Sequence, residues 1–308
     1  MIINCKAPVR IDFAGGWTDV DIFAKSVGGA VLNAAIDKYV TGKFEIFDGT
    51  TDISGNLQEG IKISYRSELP AGSGLGTSSA LNVVWLTMVK SRITGAEDKK
   101  TIAGLAYELE AMLGILGGKQ DQYASAIGGF NYMTFGNEVK VETLDISPSV
   151  VRELEERLVL CYTGKQRLSG NIHENVWGAY RRGAPETVNA LYNLRDIASG
   201  MKCALLSGNI DVFSDLMNKN WECQKQLDAS VTNAQIEELF DEAFKYGAIG
   251  GKACGAGGGG CVLFLSAPGR RAEIEQRIEQ LGSRIIPFKF DFQGLQLEDM
   301  QRPSPGTF

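Results

Sequence analysis

The sequence predicts an α+β protein, for three reasons. Short runs typical of β-strands fill the chain before residue 66 and return after residue 246. The stretch from Leu168 to about Tyr246 has an almost wholly helical pattern. Alternating strand–helix–strand units, from which doubly wound α/β folds are built, are few. The change from sheet-rich to helical sequence predicts a boundary between two domains near residues 150–165.

The individual elements are predicted from apolar periodicity and glycine breaks. Residues 2–16 alternate apolar and polar side chains, as a strand does, and end in a glycine turn. The segment 129–146 has the pattern of a β-hairpin. Helix 99–114 has a predicted apolar stripe, at Ile102, Leu105, Ala106, Leu109, Met112 and Leu113. Further strands are predicted at 28–36, 38–47, 61–65, 156–164, 247–255, 259–267 and near 284–292, further helices at 79–93 and 269–282, and a loose tail at 301–308.

The composition excludes several functional classes. The net charge of -6, without any run of Lys or Arg, argues against a nucleic-acid partner. The six cysteines include no Cys-x-x-Cys pair, which argues against a disulfide scaffold or a structural zinc site and predicts reduced thiols in the cytoplasm. No segment has the pattern of a signal peptide or of a membrane span, so no membrane partner is expected.

The glycine-rich segment GSGLGTSS, from Gly72 to Ser79, predicts a phosphate-binding loop. Glycines let the backbone approach a ligand closely, and the helix that follows adds partial positive charge at its first turn. The hydroxyls of Thr77, Ser78 and Ser79 could bind phosphate oxygens or Mg²⁺. The segment lacks the Lys of a P-loop, and a tight loop capped by Ser or Thr is the alternative.

A second glycine run, GAGGGG from Gly255 to Gly260, formally satisfies the dinucleotide-binding pattern G-x-G-x-x-G. That pattern requires a helix after the glycines, whereas the segment CVLFL that follows is typical of a strand. The run is therefore predicted to be a turn between two strands, packed against another element or a phosphate.

Two acidic residues follow the first loop. Glu110 lies at one edge of the predicted apolar stripe, where a carboxylate can be partly buried and still reach a pocket. Asp121 follows the break at Gly117 and Gly118. Each alone has an ordinary explanation, Glu110 on a solvated helix face and Asp121 as a helix N-cap.

Four segments, taken in chain order, resemble the motifs of the GHMP kinase family. They are RIDFAGGWTDV, LPAGSGLGTSSA, GGKQDQYAS and GGKACGAGGGGCVLF. The resemblance runs from about Lys6 to Phe264 and implies a two-lobed α+β fold. Residues 1–160 would form a lobe like ribosomal protein S5 domain 2 that carries the ATP-binding loop, and residues 161–308 a ferredoxin-like lobe.

The resemblance implies an enzyme that transfers phosphate from ATP with Mg²⁺. Asp121 would orient or deprotonate the acceptor hydroxyl, and Arg10 would stabilise developing charge. Thr77, Ser78 and Glu110 would hold Mg²⁺. The nucleotide-binding residues would be Pro70, Ala71, Gly72, Ser73, Gly74, Leu75, Gly76, Thr77, Ser78 and Ser79.

Within the family, the segments are similar to those of sugar 1-kinases, both fucokinases and D-glycero-D-manno-heptose 7-phosphate kinases. Asp19 would then bind sugar hydroxyls. Lys119, and Lys165 with Arg167, could meet the negative charge of a sugar phosphate. The implied acceptor site comprises Gly16, Trp17, Thr18, Asp19, Lys119, Gln120, Lys165, Arg167, Gly257 and Gly258.

Some choices stay open at this stage. Gly16 and Trp17 stand where galactokinases have Glu and His, which argues against galactose. A heptose 7-phosphate is the first choice of acceptor, L-fucose the second, and another alcohol of the same family a third. A non-catalytic sugar- or nucleotide-sensing module is the rival of another class. His173, the single histidine, is expected on a helix face, with a sugar or phosphate contact as the alternative.

Overall fold

The computed structural model describes residues 2–51, 57–90, 93, 95–165 and 170–301. Six strands form a first sheet of order β10-β1-β2-β4-β5, with β3 paired to β2. All of these pairings are antiparallel. The strands are β1 (Ile2–Ala14), β2 (Gly29–Thr51), β3 (Leu57–Ser67), β4 (Phe130–Phe135), β5 (Val139–Leu144) and β10 (Gln296–Gln301).

The second sheet has the order β7-β8-β6-β9 and is also antiparallel. Because antiparallel neighbours need no helical crossover, the structure confirms the α+β class. The strands of this sheet are β6 (Leu158–Tyr162), β7 (Ala248–Ala253), β8 (Cys261–Ser266) and β9 (Arg284–Ile285).

Three of the helices begin at a residue whose side chain caps the first turn. Ser147, Asn209 and Asn233 accept hydrogen bonds from backbone N–H groups in the first turns of α5, α8 and α9. The helices are α1 (Asp21–Val27), α2 (Thr77–Lys90), α3 (Ala96–Met112), α4 (Gln120–Ile127), α5 (Pro148–Arg157), α6 (Gly170–Arg181), α7 (Pro185–Leu206), α8 (Ile210–Lys225), α9 (Ala234–Lys245) and α10 (Arg271–Gln280), with a short 3-10 helix at Ala229–Val231. No helix among the described residues is long and apolar enough to cross a membrane.

Strand β1 is the element that positions the site. Its first residues alternate in burial, but from Ala7 onwards every residue is buried. Successive side chains of a strand point to opposite faces. On one face Phe13 packs edge-on against Phe213 of α8, at 5.3 Å between ring centroids. On the other face Arg10 and Asp12 bond to α4 and β7, so two charged side chains are carried into the interior.

Several predicted elements differ from the observed ones. The strands predicted at 28–36 and 38–47 are one strand, β2, and the strand near 284–292 is limited to β9 and a bridge at Phe290. Helices α1 and α5 and strand β10 were not predicted. The tail prediction falls outside the described residues, apart from Gln301 at the end of β10. The domain division at residue 160 stays a prediction; that residue lies within β6, and β10 pairs with β1.

The predicted apolar stripe of α3 is wrong at Leu105 and at the C-terminal end of the helix. Leu105, Met112 and Leu113 are exposed, and 83% of the surface of Met112 is accessible to solvent. The buried face comprises Ile102, Ala103, Ala106 and Glu110. Helical periodicity identifies residues that share a face, but packing against α2 and α4 decides which face is covered. Glu110 is therefore more deeply buried than a rim position implies, at 6% exposure.

Candidate active site

A cavity of about 480 Å³ lies between β1, the first glycine loop, α3, α4 and the turn between β7 and β8. It collects most of the predicted site residues. Those lining it are Arg10, Gly16, Trp17, Asp19, Ala71, Gly72, Ser73, Gly74, Gly76, Thr77, Ser78, Ser79, Glu110, Gln120, Asp121 and Gly257. The wall also includes His173, and Asp12, Tyr65, Arg66, Ile115 and Cys254, five residues that the sequence did not single out for this site.

The first glycine loop leads directly into α2, whose first residue is Thr77. The first N–H groups of a helix lack intrahelical acceptors, and the helix dipole makes this end partially positive. Leu75 is fully buried, and its carbonyl accepts a hydrogen bond from the backbone N–H of Arg10 at 3.0 Å. The loop is thereby fastened to β1, with its hydroxyls and amides beside the cavity. This arrangement suits an anionic ligand.

The second glycine run is the predicted turn between two strands, β7 and β8, and it packs against the first loop. The Cys261 N–H donates to the Ser73 carbonyl at 2.8 Å. A Cβ on Gly260 would lie 2.7 Å from that carbonyl oxygen, and one on Gly74 would lie 2.5 Å from the Cys254 carbonyl oxygen. Both glycines also have positive φ, at 75° and 78°. Side chains at either position would push the two loops apart.

Arg10 and Asp121 form an ion pair at the cavity wall. The Arg10 Nε and Nη2 both lie 2.7 Å from Asp121 Oδ1, and Nη1 donates to the Gly74 carbonyl at 2.7 Å. Asp121 Oδ2 has no hydrogen-bond partner among the described residues. A Cβ on Gly76 would lie 3.1 Å from Oδ2. One carboxylate oxygen is therefore held by Arg10, and the other is free beside the glycine loop.

A second ion pair lies behind the first. Lys252 Nζ contacts Asp12 Oδ2 at 2.5 Å and the Asp12 carbonyl at 2.7 Å, and Lys252 is fully buried. The Gly255 N–H donates to Asp12 Oδ1 at 3.3 Å. We call Arg10, Asp12, Asp121 and Lys252 the ionic cluster. Sequence reasoning missed Asp12 and Lys252, although a charged residue inside a predicted strand was the available signal for both.

Glu110 is surrounded by uncharged donors. Its Oε1 accepts hydrogen bonds from Ser79 Oγ and Asn82 Nδ2, and its Oε2 accepts one from Gln122 Nε2, each at 2.9 Å. We call Ser79, Asn82, Glu110 and Gln122 the Glu110 cluster. No cation lies within ion-pair distance of Glu110 among the described residues. Asn82 and Gln122 were missed by the sequence reasoning, and the hydroxyl that contacts Glu110 belongs to Ser79 rather than to Thr77 or Ser78.

Burial raises the pKa of three carboxyl groups at the cavity. For Glu110, hydrogen bonds from its neutral partners oppose that rise, and for Asp121 the Arg10 guanidinium opposes it. Burial raises the pKa of Asp19 to about 6, although the Gln120 N–H donates to Asp19 Oδ2 at 3.0 Å. A Cβ on Gly118 would overlap the Asp19 carboxylate, so a larger residue there would displace that side chain.

Several predicted residues do not line the cavity. Thr18 is fully buried, and its hydroxyl bonds to the carbonyls of Gly15 and Ala30. Lys119 forms an ion pair with Asp21 at 2.5 Å. The side chain of Lys165 is exposed, and Arg167 lies outside the described residues. Among the described residues, the predicted site members absent from the lining are Pro70, Leu75, Thr18, Lys119, Lys165 and Gly258.

His173 of α6 is part of the cavity wall, which favours the alternative that the sequence left open. Its ring centroid lies 4.5 Å from that of Trp17. Trp17 has a φ of 80°, a conformation that is costly for any residue with a Cβ. Among the described residues, no group of three or more His, Cys, Asp or Glu side chains could hold a metal ion.

Comparison with known proteins identifies the family of the chain. The chain matches the profile of the GHMP kinases N terminal domain over residues 38–129 and that of the GHMP kinases C terminal domain over residues 201–284. D-glycero-alpha-D-manno-heptose 7-phosphate kinase from Campylobacter jejuni is 30% identical, over 96% of this chain and 98% of that protein. The bifunctional fucokinase/GDP-fucose pyrophosphorylase from Arabidopsis thaliana is 28% identical over 89% of this chain but only 31% of its own length.

A crystal structure of a D-glycero-D-manno-heptose 1-phosphate kinase from Bacteroides thetaiotaomicron has the same fold. It superposes with a TM-score of 0.75 at 28% identity and covers 98% of this chain and 100% of that one. The two family domains and the near full-length relative at 30% identity agree on one assignment. The chain belongs to the GHMP kinase family and is a small-molecule kinase.

Proposed function

We propose that this kinase transfers the γ-phosphoryl group of ATP to a hydroxyl of a sugar or sugar phosphate, with Mg²⁺. The observation that carries the proposal is the free Oδ2 of Asp121. It lies beside the glycine loop, while Arg10 holds Oδ1 at 2.7 Å. A carboxylate in this position can receive a hydrogen bond from an alcohol that faces a bound phosphate chain.

The first glycine loop fits the phosphates of ATP. Its backbone runs against the second glycine run without intervening side chains, and α2 begins at Thr77. Ser73 Oγ and Thr77 Oγ1 form a hydrogen bond at 3.1 Å. The two hydroxyls therefore meet at one point of the loop, where a phosphate oxygen could contact them. These neutral donors and the helix dipole would hold the phosphates without a P-loop lysine.

The Glu110 cluster fits Mg²⁺. This ion prefers hard oxygen ligands, keeps several waters and usually takes one or two carboxylates plus phosphate oxygens. Glu110 supplies a buried carboxylate without a cationic partner among the described residues, and Thr77, Ser78 and Ser79 supply hydroxyls to the same cavity. When bound there, Mg²⁺ would neutralise charge on the transferring phosphate.

The reaction needs little covalent chemistry from the protein. The acceptor oxygen forms a bond to the γ-phosphorus, and the bond from that phosphorus to the β,γ-bridging oxygen breaks, which releases ADP. The hydroxyl proton goes to Asp121 Oδ2 and from there to solvent. Arg10 stabilises the carboxylate, and its hydrogen bond to the Gly74 carbonyl keeps it next to the glycine loop. Its positive charge can therefore stabilise negative charge that develops on the transferring phosphate.

For the acceptor we propose the C1 hydroxyl of D-glycero-D-manno-heptose 7-phosphate. The support is the relative of that name, whose similarity extends over 96% of this chain. L-fucose is the second candidate, because the fucokinase relative matches over 89% of the chain. Asp19, Gln120 and Trp17 line the part of the cavity that would receive either sugar.

The test is ADP release from ATP across a panel of heptose 7-phosphate, fucose, galactose and mevalonate. We expect turnover with a sugar or sugar phosphate, and phosphorus NMR should assign the new phosphate to C1. Asp121→Asn should lower kcat by about 10³-fold. Asp145→Asn, at an exposed position after β5, is the matched control and should match the parent. Absence of acceptor-dependent ADP release, or full activity of Asp121→Asn, would contradict the proposal.

A further inference from the structure

His173 is a titratable cavity residue whose chemistry the proposed function leaves unused. It lies on α6, one turn before Trp177, and faces the cavity beside Trp17. It has no charged neighbour within ion-pair distance among the described residues. Two aromatic side chains, Trp17 and Trp177, contact the ring, so the protonation state of His173 itself determines what it can bind.

The hydrogen bond from Trp177 determines that state. Trp177 Nε1 lies 3.4 Å from His173 Nδ1. An indole nitrogen can only donate, so Nδ1 must be an unprotonated acceptor. In neutral imidazole the proton then resides on Nε2. Burial lowers the pKa of His173 to about 4, so the ring is neutral near pH 7.

The ring is also fixed in orientation. Trp17 lies against it at 4.5 Å between centroids, with 34° between the ring planes, while Trp177 holds Nδ1. The backbone of Trp17 keeps a φ of 80°, and such strain persists only where the surrounding structure imposes it. Nε2 has no hydrogen-bond partner among the described residues. A neutral, oriented N–H group is thus available at the cavity wall.

We infer that His173 recognises the acceptor sugar as a neutral group, by donating a hydrogen bond from Nε2–H to one of the sugar's oxygens. Trp177 is the positioning residue that selects this tautomer. The inference rests on the proposed function, because it concerns the acceptor of that reaction. It assigns His173 the role of a neutral donor, whereas a protonated histidine would add a positive charge to the acceptor site.

A single histidine makes the direct test simple. The tag-free protein, labelled with ¹⁵N-histidine, should give one imidazole spin system in long-range ¹H–¹⁵N NMR spectra. We expect a protonated Nε2, an unprotonated Nδ1 and no titration above about pH 5. Adding the acceptor identified by the panel should shift the Nε2 resonance more than Nδ1. An Nδ1–H tautomer, a titration near pH 6.5, or no response to the acceptor would overturn the inference.

Kinetics supply the second test. His173→Phe retains a ring but loses the donor, and should raise the KM of the acceptor about tenfold, with the KM of ATP within about twofold of the parent. His173→Gln keeps an N–H near the position of Nε2 and should stay closer to the parent. Trp177→Phe should raise the acceptor KM less than His173→Phe does and should mix the two tautomers in the NMR spectrum.

The outcomes separate the two proposals. If the parent is active and His173→Phe has the parent's acceptor KM, the inference is wrong and the proposed function stands. If the parent transfers phosphate to no sugar, the proposed function is wrong and the inference falls with it. The parent and His173→Gln should share one pH dependence of acceptor KM, because Asp19 titrates in both and His173 in neither. A pH transition in the acceptor KM of the parent that is absent from His173→Gln would show that His173 binds the acceptor as a cation, and would overturn the inference.

Discussion

The ionic cluster and the Glu110 cluster meet at adjacent residues of α4 but hold their carboxylates in opposite ways. Asp121 is paired with the guanidinium of Arg10, and Asp12 with the ammonium of Lys252. Glu110, reached by the next residue Gln122, accepts hydrogen bonds only from neutral groups. One helical position thus separates compensated charge from uncompensated charge.

The difference indicates a division of labour. A carboxylate already paired with a cation has little attraction for a second cation, but it can orient a hydroxyl through its free oxygen. A buried carboxylate with only neutral partners has no cation to compensate its charge, so a cation that arrives stabilises the charged form. We therefore expect Asp121 to serve the acceptor alcohol and Glu110 to serve Mg²⁺. Four predictions test this comparison.

Removing the cation from the ionic cluster should have the largest effect. Arg10→Met makes the surroundings of Asp121 more like those of Glu110, and kcat should fall by about 10³-fold. Without Arg10 the pKa of Asp121 rises further, so less carboxylate is present at a given pH. The acid limb of the kcat–pH profile should therefore move to higher pH. An acid limb at the same pH as in the parent would show that Arg10 does not control the ionisation of Asp121. Thermal melting of the variant checks that it is folded.

Breaking the ion pair between Asp12 and Lys252 should make the protein less stable. Lys252→Met leaves Asp12 charged and buried, and should lower the free energy of unfolding by about 3 kcal/mol in urea titrations. Combining it with Asp12→Asn removes both charges and should recover part of the loss. Lys245→Met, at an exposed lysine of α9, is the control and should change stability by less than about 0.5 kcal/mol. Equal losses in the single and double variants would contradict the ion-pair explanation.

Neutralising the Glu110 cluster should weaken the response to Mg²⁺. Glu110→Gln is expected to raise the Mg²⁺ concentration for half-maximal activity by about 10-fold to 100-fold, with a smaller change in the KM of the acceptor. Glu108→Gln, on the exposed face of the same helix, is the matched control and should leave that concentration unchanged. A parent-like Mg²⁺ response in Glu110→Gln would assign the ion elsewhere.

Replacing Asp19 should have the smallest effect of the four, and it tests directly what a buried carboxylate without a paired cation costs in stability. Because its pKa is raised to about 6 in the folded protein, the folded state binds the proton more tightly than the unfolded chain does. This contribution to stability is present at low pH and is lost as pH rises from about 4 to about 6. Asp19→Asn should therefore be more stable than the parent at about pH 8, by about 1–2 kcal/mol in urea titrations, and this advantage should shrink at about pH 4.5. A pH-independent difference would contradict the raised pKa.

The sequence by itself predicted the features that depend on neighbouring residues. The glycine loop with its helix start, the turn between β7 and β8, the hairpin of β4 and β5, and the α+β class all follow from backbone requirements or from periodicity within short windows. The four family segments also placed Asp121 and Arg10 at one site, because their order along the chain matched a known pattern.

Only the tertiary structure decided the partners. Arg10 and Asp121 are 111 residues apart, and Asp12 and Lys252 are 240 apart. No local pattern specifies such pairings, because they form only when separate elements pack together. The same packing buried Glu110 among neutral donors, engaged Lys119 with Asp21, exposed Met112 and brought His173 to the cavity. Residue types can be read along the chain, but the charge state of a side chain depends on the neighbours that burial gives it.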